Sequence, residues 1–250
     1  MTNPAESPWL RPYRDDEGHK TKLVCFPHAG GWASAYRTWA RGLPPEVAVL
    51  AVRYPGREER LAEPFAASLE AMADDVASAL GELARGNRLV LFGHSMGASV
   101  AHEVALRLQE AGSPPAALCV SGRRPPHVLS EWGRKYSGTD EEVLADVLRL
   151  DNSRAEVLAD PGMLEIVMPA IREDYRMVDE YLGGPRPPLD APVFGYTGDA
   201  DSEVTPELMR GWAELTRVGF RLRVLPGGHF YLRAEEEALL ADLCDVFDSI

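Results

Sequence analysis

Residues 93–97 read Gly-His-Ser-Met-Gly and stand between an apolar run, Leu89–Phe92, and a small-residue stretch of helical spacing. Glycine on either side of the serine removes side chains where a strand and a helix must approach closely. A sharp turn between them would then project the Ser95 hydroxyl. A serine so placed is a candidate nucleophile. That chemistry needs a base, an acid that orients the base, and amide donors for a developing oxyanion. The five residues are too common a string to decide the matter alone, so the partners must be found elsewhere in the chain.

For the base, His229 lies in Leu-Pro-Gly-Gly-His-Phe-Tyr-Leu (225–232), just past the run Phe220–Leu225. It is the only histidine after the run Val193–Thr197. The acid should follow that run, where Asp199, Asp201 and Glu203 are available. Asp201 is favoured, because Gly198-x-x-Asp201-x-x-Val204 suits a turn that presents an acid, and Asp199 is the alternative. The oxyanion donors expected are the Met96 amide and one from the loop Pro-His-Ala-Gly-Gly-Trp-Ala-Ser (27–34), with Ala29 as that second donor. His28 is read as holding this loop by hydrogen bonds rather than moving protons. His19, His94, His102 and His127 show no clustered spacing, so no metal site is expected.

Six short apolar runs must position these residues: Leu23–Pro27, Val47–Val52, Leu89–Phe92, Ala117–Val120, Val193–Thr197 and Phe220–Leu225. Helical patterns separate them. Leu69, Met72, Val76, Leu80 and Leu83 form one stripe, Val100, Val104 and Leu108 another that Gly112 ends, and residues 235–247 a third. Such alternation predicts an α/β fold, a mostly parallel central sheet with helices on both faces. Loops at the carboxyl ends of parallel strands share one face, which is where Ser95, Asp201 and His229 all fall. Their chain order, serine then acid then histidine, is the α/β-hydrolase order. We read residues 1–250 as a single domain.

One interval breaks the rhythm. Residues 122–185 hold no strand and are far longer than a crossover helix requires. They contain an amphipathic stretch at 141–150 and a longer one from Pro161 through Leu182, which Pro169 should kink. This insertion is a candidate helical lid.

Composition narrows the partners. The net charge of −13 argues against nucleic acid as a general partner, because phosphate binding needs a basic face, and it disfavours an anionic membrane. No signal peptide and no spanning apolar stretch is visible, so a cytoplasmic location is expected. Cys25, Cys119 and Cys244 are odd in number and far apart, and are read as free thiols.

The stretches FPHAGG, RYPGREER, GHSMGA, GDADSEVT and LPGGHFYL, with the long segment LRLDNSRAEVLADPGMLEIVMPAIREDYRMVDEY, together resemble the type II thioesterases that serve polyketide synthases and non-ribosomal peptide synthetases. The likeness runs from about Cys25 to the last helix. It implies hydrolysis of acyl groups from the 4′-phosphopantetheine arm of an acyl or peptidyl carrier protein, or of small acyl thioesters, with no cofactor of the enzyme's own. It also implies that misprimed or stalled synthases are the clients. The family's nucleophile, acid and base fall on Ser95, Asp201 and His229.

Trp32 stands where a third glycine is common and is expected to narrow the site, and Asp151-Asn152 replaces a glycine-containing turn. Met168 and Tyr175 on the long helix join His28, Trp32, Arg123 and Arg124 as expected substrate or lid contacts. Carrier proteins are acidic, so docking calls for a local basic face, expected at Arg123, Arg124, Arg134 and Lys135. A small-molecule carboxylesterase or lipase, or a product-releasing thioesterase, would use the same three residues.

Overall fold

The computed structural model describes residues 7–14, 18–132 and 139–250, so Arg134 and Lys135 lie outside the described residues. Among the described residues seven strands form one sheet: β1 (Leu10–Pro12), β2 (Thr21–Phe26), β3 (Val47–Val52), β4 (Arg88–His94), β5 (Ala117–Ser121), β6 (Val193–Gly198) and β7 (Phe220–Leu225). Their spatial order is β1-β3-β2-β4-β5-β6-β7. Every pairing is parallel except that of β1, which runs antiparallel to β3 through Leu10 opposite Val52. The six expected runs are all strands. β1 escapes sequence reading because three residues ending in proline carry too little pattern to register as a strand.

Around the sheet lie α1 (Trp39–Gly42), α2 (Leu69–Ala84), α3 (Met96–Glu110), α4 (Asp140–Leu150), α5 (Ala155–Leu158), α6 (Pro161–Glu180), α7 (Pro206–Arg210), α8 (Tyr231–Ala234) and α9 (Glu236–Ser249). Side chains alternate across each strand, so neighbouring residues feed different cores. Val24, Leu50 and Leu91 pack under α2 and α3, while Leu23, Val49 and Val90 pack under α1 and α9. Both faces of the central strands are therefore buried, which is why these strands read as continuous apolar runs.

Helix ends follow local chemistry. The Ser68 side chain caps α2 by accepting from Ala71 N at 3.1 Å, and Asp160 caps α6 by accepting from Met163 N at 2.8 Å. Gly112, with φ +74°, closes α3 by donating to Gln109 O at 2.9 Å. Between β5 and β6, α4 to α6 build a small core of their own from Val143, Val147, Leu158, Met168, Ile171 and Tyr175. α6 runs without a break through Pro169. The proline removes one helical bond, but Met168, Ala170 and Ile171 beside it are buried and hold the helix in place.

Candidate active site

Ser95 occupies the single residue between β4 and α3, with φ 55° and ψ −122°. Such a backbone costs about 1–3 kcal/mol and persists only where its surroundings enforce it. Two glycines do so. A Cβ on Gly93 would lie 2.2 Å from Gly97 O, and one on Gly97 only 2.1 Å from Phe26 O. The first turn of α3 is thereby pressed against the end of β2, and the loop after β2 carries Ala29. Among the described residues neither the Ala29 nor the Met96 amide has an acceptor, so both are available to an oxyanion.

The structure brings Asp201, not Asp199, to His229. His229 Nδ1 lies 2.9 Å from Asp201 Oδ2, with both side chains buried. The other oxygen, Oδ1, accepts from Glu203 N at 2.8 Å and Val204 N at 3.2 Å. Burial pushes the Asp201 carboxyl up, but the His229 contact and these two amides outweigh it and hold it below the usual range. Asp199 is exposed, and its Oδ1 accepts from Gly227 N at 2.9 Å. It therefore shapes the loop that presents His229. Ser95 and His229 line one cavity, and no Ser95–His229 hydrogen bond is formed among the described residues. In unliganded sites that contact commonly tightens only when substrate arrives.

His94 packs behind this pair, its ring centroid 5.0 Å from that of His229. Its Nδ1 lies 2.9 Å from Ser121 Oγ, which is itself 2.7 Å from the Tyr231 hydroxyl. Complete burial first, then the neighbouring His229 and His28, drives the His94 pKa well below the usual value. It stays neutral, and no second cation forms beside His229 when that ring takes a proton.

The cavity measures about 290 Å³. Ala29, Ser95, Gly122 and His229 line it together, and Leu129, Leu150, Tyr175, Val178 and Leu182 supply much of its wall. Tyr175 is thus placed as expected, its hydroxyl donating to Asp146 Oδ2 at 3.0 Å. Arg123 and Arg124 also line this cavity rather than an outward docking face. Arg123 Nε donates to Ser99 Oγ at 2.8 Å, and Arg124 Nη2 to Glu203 O at 2.5 Å. The basic docking face expected from their sequence is not formed by these two side chains, because β5 ends beside Ser95 and turns them inward.

Two further expectations are corrected. Met168 is buried inside the α4–α6 core and does not line the cavity. Trp32 does not narrow the cavity either. It lines a second one of about 270 Å³, walled from Ser95 by His28 and Phe230. The His28 ring stands edge-on to Phe230 at 4.8 Å, a packing position, and its carbonyl accepts from Gly31 N at 2.8 Å. Among the described residues no three His, Cys, Asp or Glu side chains converge as metal ligands.

Sequence reasoning missed the buttress of the loop that carries Ala29. Arg57 meets Asp174 of α6, and Asp174 Oδ2 also accepts from Gly30 N at 2.7 Å. Arg57 Nη1 reaches Gly31 O at 3.3 Å, while Glu58 accepts from Ala33 N at 2.9 Å and Ser34 N at 3.2 Å. A signal was present. Asp174 interrupts the apolar stripe Ile171, Tyr175, Val178, and an acid on a buried stripe calls for a buried cation.

Residues 21–246 match the Thioesterase domain family. Thioesterase PikA5 of Streptomyces venezuelae is 37% identical over 238 residues, covering 95% of this chain and 84% of that protein. Among solved structures, the RedJ thioesterase of the prodiginine pathway in Streptomyces coelicolor superposes with a TM-score of 0.85 at 38% identity, covering 97% of this chain and 96% of the other. The type II thioesterase BorB of the borrelidin cluster gives 0.81 at 38% identity, with 95% and 96% covered.

Proposed function

This chain belongs to the thioesterase domain family, with an α/β-hydrolase fold, and on that premise we propose that it is a serine hydrolase that frees acyl groups from the phosphopantetheine arm of acyl or peptidyl carrier proteins. Its clients in this reading are misprimed or stalled polyketide and non-ribosomal peptide synthases in the cytoplasm. The names of its relatives support the pathway class, and no described helix is long and apolar enough to cross a membrane. The observation that carries the chemistry is the 2.9 Å contact of His229 with Asp201 beside a strained Ser95 in one cavity.

In the proposed reaction Ser95 Oγ bonds to the thioester carbonyl carbon as its proton passes to His229 Nε2. Asp201 fixes the tautomer that leaves Nε2 free and stabilises the imidazolium. The Ala29 and Met96 amides hold the oxyanion, where one lost donor costs about 3 kcal/mol of barrier. The carbon–sulfur bond then breaks, and the pantetheine sulfur takes the His229 proton and leaves as the free thiol. Water attacks the acyl-enzyme as neutral His229 accepts its proton, and His229 returns that proton to Ser95 Oγ as the ester bond breaks and the free acid leaves. Only water is consumed, so the chain needs no cofactor for this sequence of steps.

The test is release of acyl groups from a loaded carrier protein, compared with the matching oxygen ester. Carrier-bound thioester should turn over faster, and Ser95→Ala should abolish it. Preference for the oxygen ester would instead favour a carboxylesterase, and release that survives Ser95→Ala would refute the serine mechanism.

A further inference from the structure

Arg123 sits in the acyl cavity, and among the described residues it forms no ion pair with a carboxylate. Its one side-chain hydrogen bond among the described residues is Nε to Ser99 Oγ at 2.8 Å. Asp179 lines the same wall and favours the Arg123 charge, while the other charged side chains there are engaged elsewhere. Asp146 and Glu203 share Arg149, at 2.5 and 2.8 Å, and Arg124 leans on a backbone carbonyl. Burial lowers the Arg123 pKa to about 10, with Arg124 adding to that effect and Tyr181, Asp179 and Glu203 opposing it, so it remains a cation at neutral pH. Its terminal nitrogens are donors in a fixed fork, suited to carboxylate or paired oxygen acceptors.

Position sets which part of a substrate it can meet. Ser99 is one helical turn beyond Ser95 on the same face of α3, a separation of about 6 Å. The residue before Arg123 is closer still to the reacting groups, since a Cβ on Gly122 would lie 3.2 Å from His229 Cε1. A phosphopantetheine phosphate is a whole arm's length from the thioester, too far to serve as the partner. Trp212 Nε1 donates to Arg123 O at 2.7 Å and pins the backbone, so the side chain projects from a fixed base.

We propose that Arg123 is a specificity residue that binds an oxygen on the acyl chain, a carboxylate, hydroxyl or keto group a few carbons beyond the thioester carbonyl. The preferred substrates are then oxygen-bearing acyl chains rather than plain alkyl ones of equal length. The proposal rests on the thioesterase reading of the same cavity. A buried donor set built for oxygen penalises the alkyl analogue, which leaves those donors unpaired.

The experiment measures kcat/KM for succinyl, 3-hydroxybutyryl and butyryl thioesters on one carrier protein, with wild type, Arg123→Lys and Arg123→Met. Wild type should favour both oxygenated chains over butyryl by roughly tenfold or more, following the strength of charge-assisted bonds. Arg123→Met should erase that ratio, and Arg123→Lys should keep part of the succinyl preference while losing more of the hydroxyl one. Should Arg123→Met fail to fold, Ser99→Ala, which releases Nε and loosens the fork, should lower the ratio. A wild-type ratio at or below one, or a ratio unmoved in folded variants, overturns the proposal while leaving the thioesterase reading intact. Failure to hydrolyse any of the three thioesters would refute that reading itself.

Discussion

Arg57 and Asp174 form a two-pronged ion pair, Nη1 to Oδ2 at 2.6 Å and Nη2 to Oδ1 at 2.8 Å, with side chains 3% and 0% exposed. The pair joins the turn after β3 to the middle of α6, and the Gly30 amide binds the same carboxylate. Gly30 itself has φ +66°, and a Cβ there would strike Ile171 at 2.5 Å. The loop that carries the Ala29 amide is thus clamped from the insertion side as well as by its own strand. Desolvation works against the Arg57 charge, yet Asp174 more than offsets it and raises the guanidinium pKa.

Breaking this pair on one side strands a buried charge. Arg57→Met should therefore cost about 3–5 kcal/mol of stability. The double variant Arg57→Met/Asp174→Leu should recover much of that in a denaturant titration, yet should stay slow in turnover, because Gly30 N has lost its acceptor and the oxyanion loop loosens. Full recovery of kcat in the double variant would show that the pair does not position the loop.

Asp201 and Asp199 separate cleanly. Asp201→Asn keeps the shape but leaves His229 without the carboxylate that sets its tautomer, so kcat on a small acyl thioester should fall by roughly 10³–10⁴. Asp199→Asn keeps an acceptor for Gly227 N and should stay within about tenfold of wild type. Equal losses in the two variants would contradict the assignment of the acid.

Stability should fall in mild acid because of buried neutral histidines. Burial, with small contributions from Arg186 and His127 and an opposing one from Glu103, lowers His102 from 6.5 to about 4. A histidine depressed on folding leaves the unfolded chain binding more protons between those values. Its contribution is complete above pH 6.5 and is lost as pH falls toward 4, roughly 3 kcal/mol in all. Both His102 ring nitrogens are buried and have no hydrogen-bond partner among the described residues, and the ring stands edge-on to Trp212 at 5.2 Å. His102→Phe should flatten the decline of Tm between pH 6.5 and 4.5, and an unchanged slope would show that His102 is not its source.

The two long helices of the insertion should differ in hydrogen exchange. α6 is tied to the sheet layer by the Arg57–Asp174 pair and by the Tyr181 hydroxyl, which donates to Glu103 Oε1 at 2.7 Å. α4 packs on α6 through Val143 and Val147, and meets the strands' side of the molecule through half-exposed cations, Arg149 on Glu203 and Ser202 and Arg233 on Asp151. Amides of α4 should exchange at least roughly tenfold faster than those of 171–177, opening from the α4 side. Protection of α4 equal to that of β4 would rule out gating there.

Several features needed only the chain itself. Buried parallel strands read as uninterrupted apolar runs, so β2 to β7, the longer helices and the strand ends were legible from periodicity. The two glycines around Ser95 and the placement of Asp201 and His229 after later strands followed from the same ordering. Tertiary structure decided what lies across elements. It chose Asp201 over Asp199, because only the turn of the chain after β6 says which carboxylate faces His229. It turned Arg123 and Arg124 from an expected surface into the cavity and moved Trp32 and Met168 away from it. It also joined Arg57 to Asp174, 117 residues apart. Periodicity reports the environment of a residue along its own element, whereas a charged side chain's partner is set by how separate elements pack.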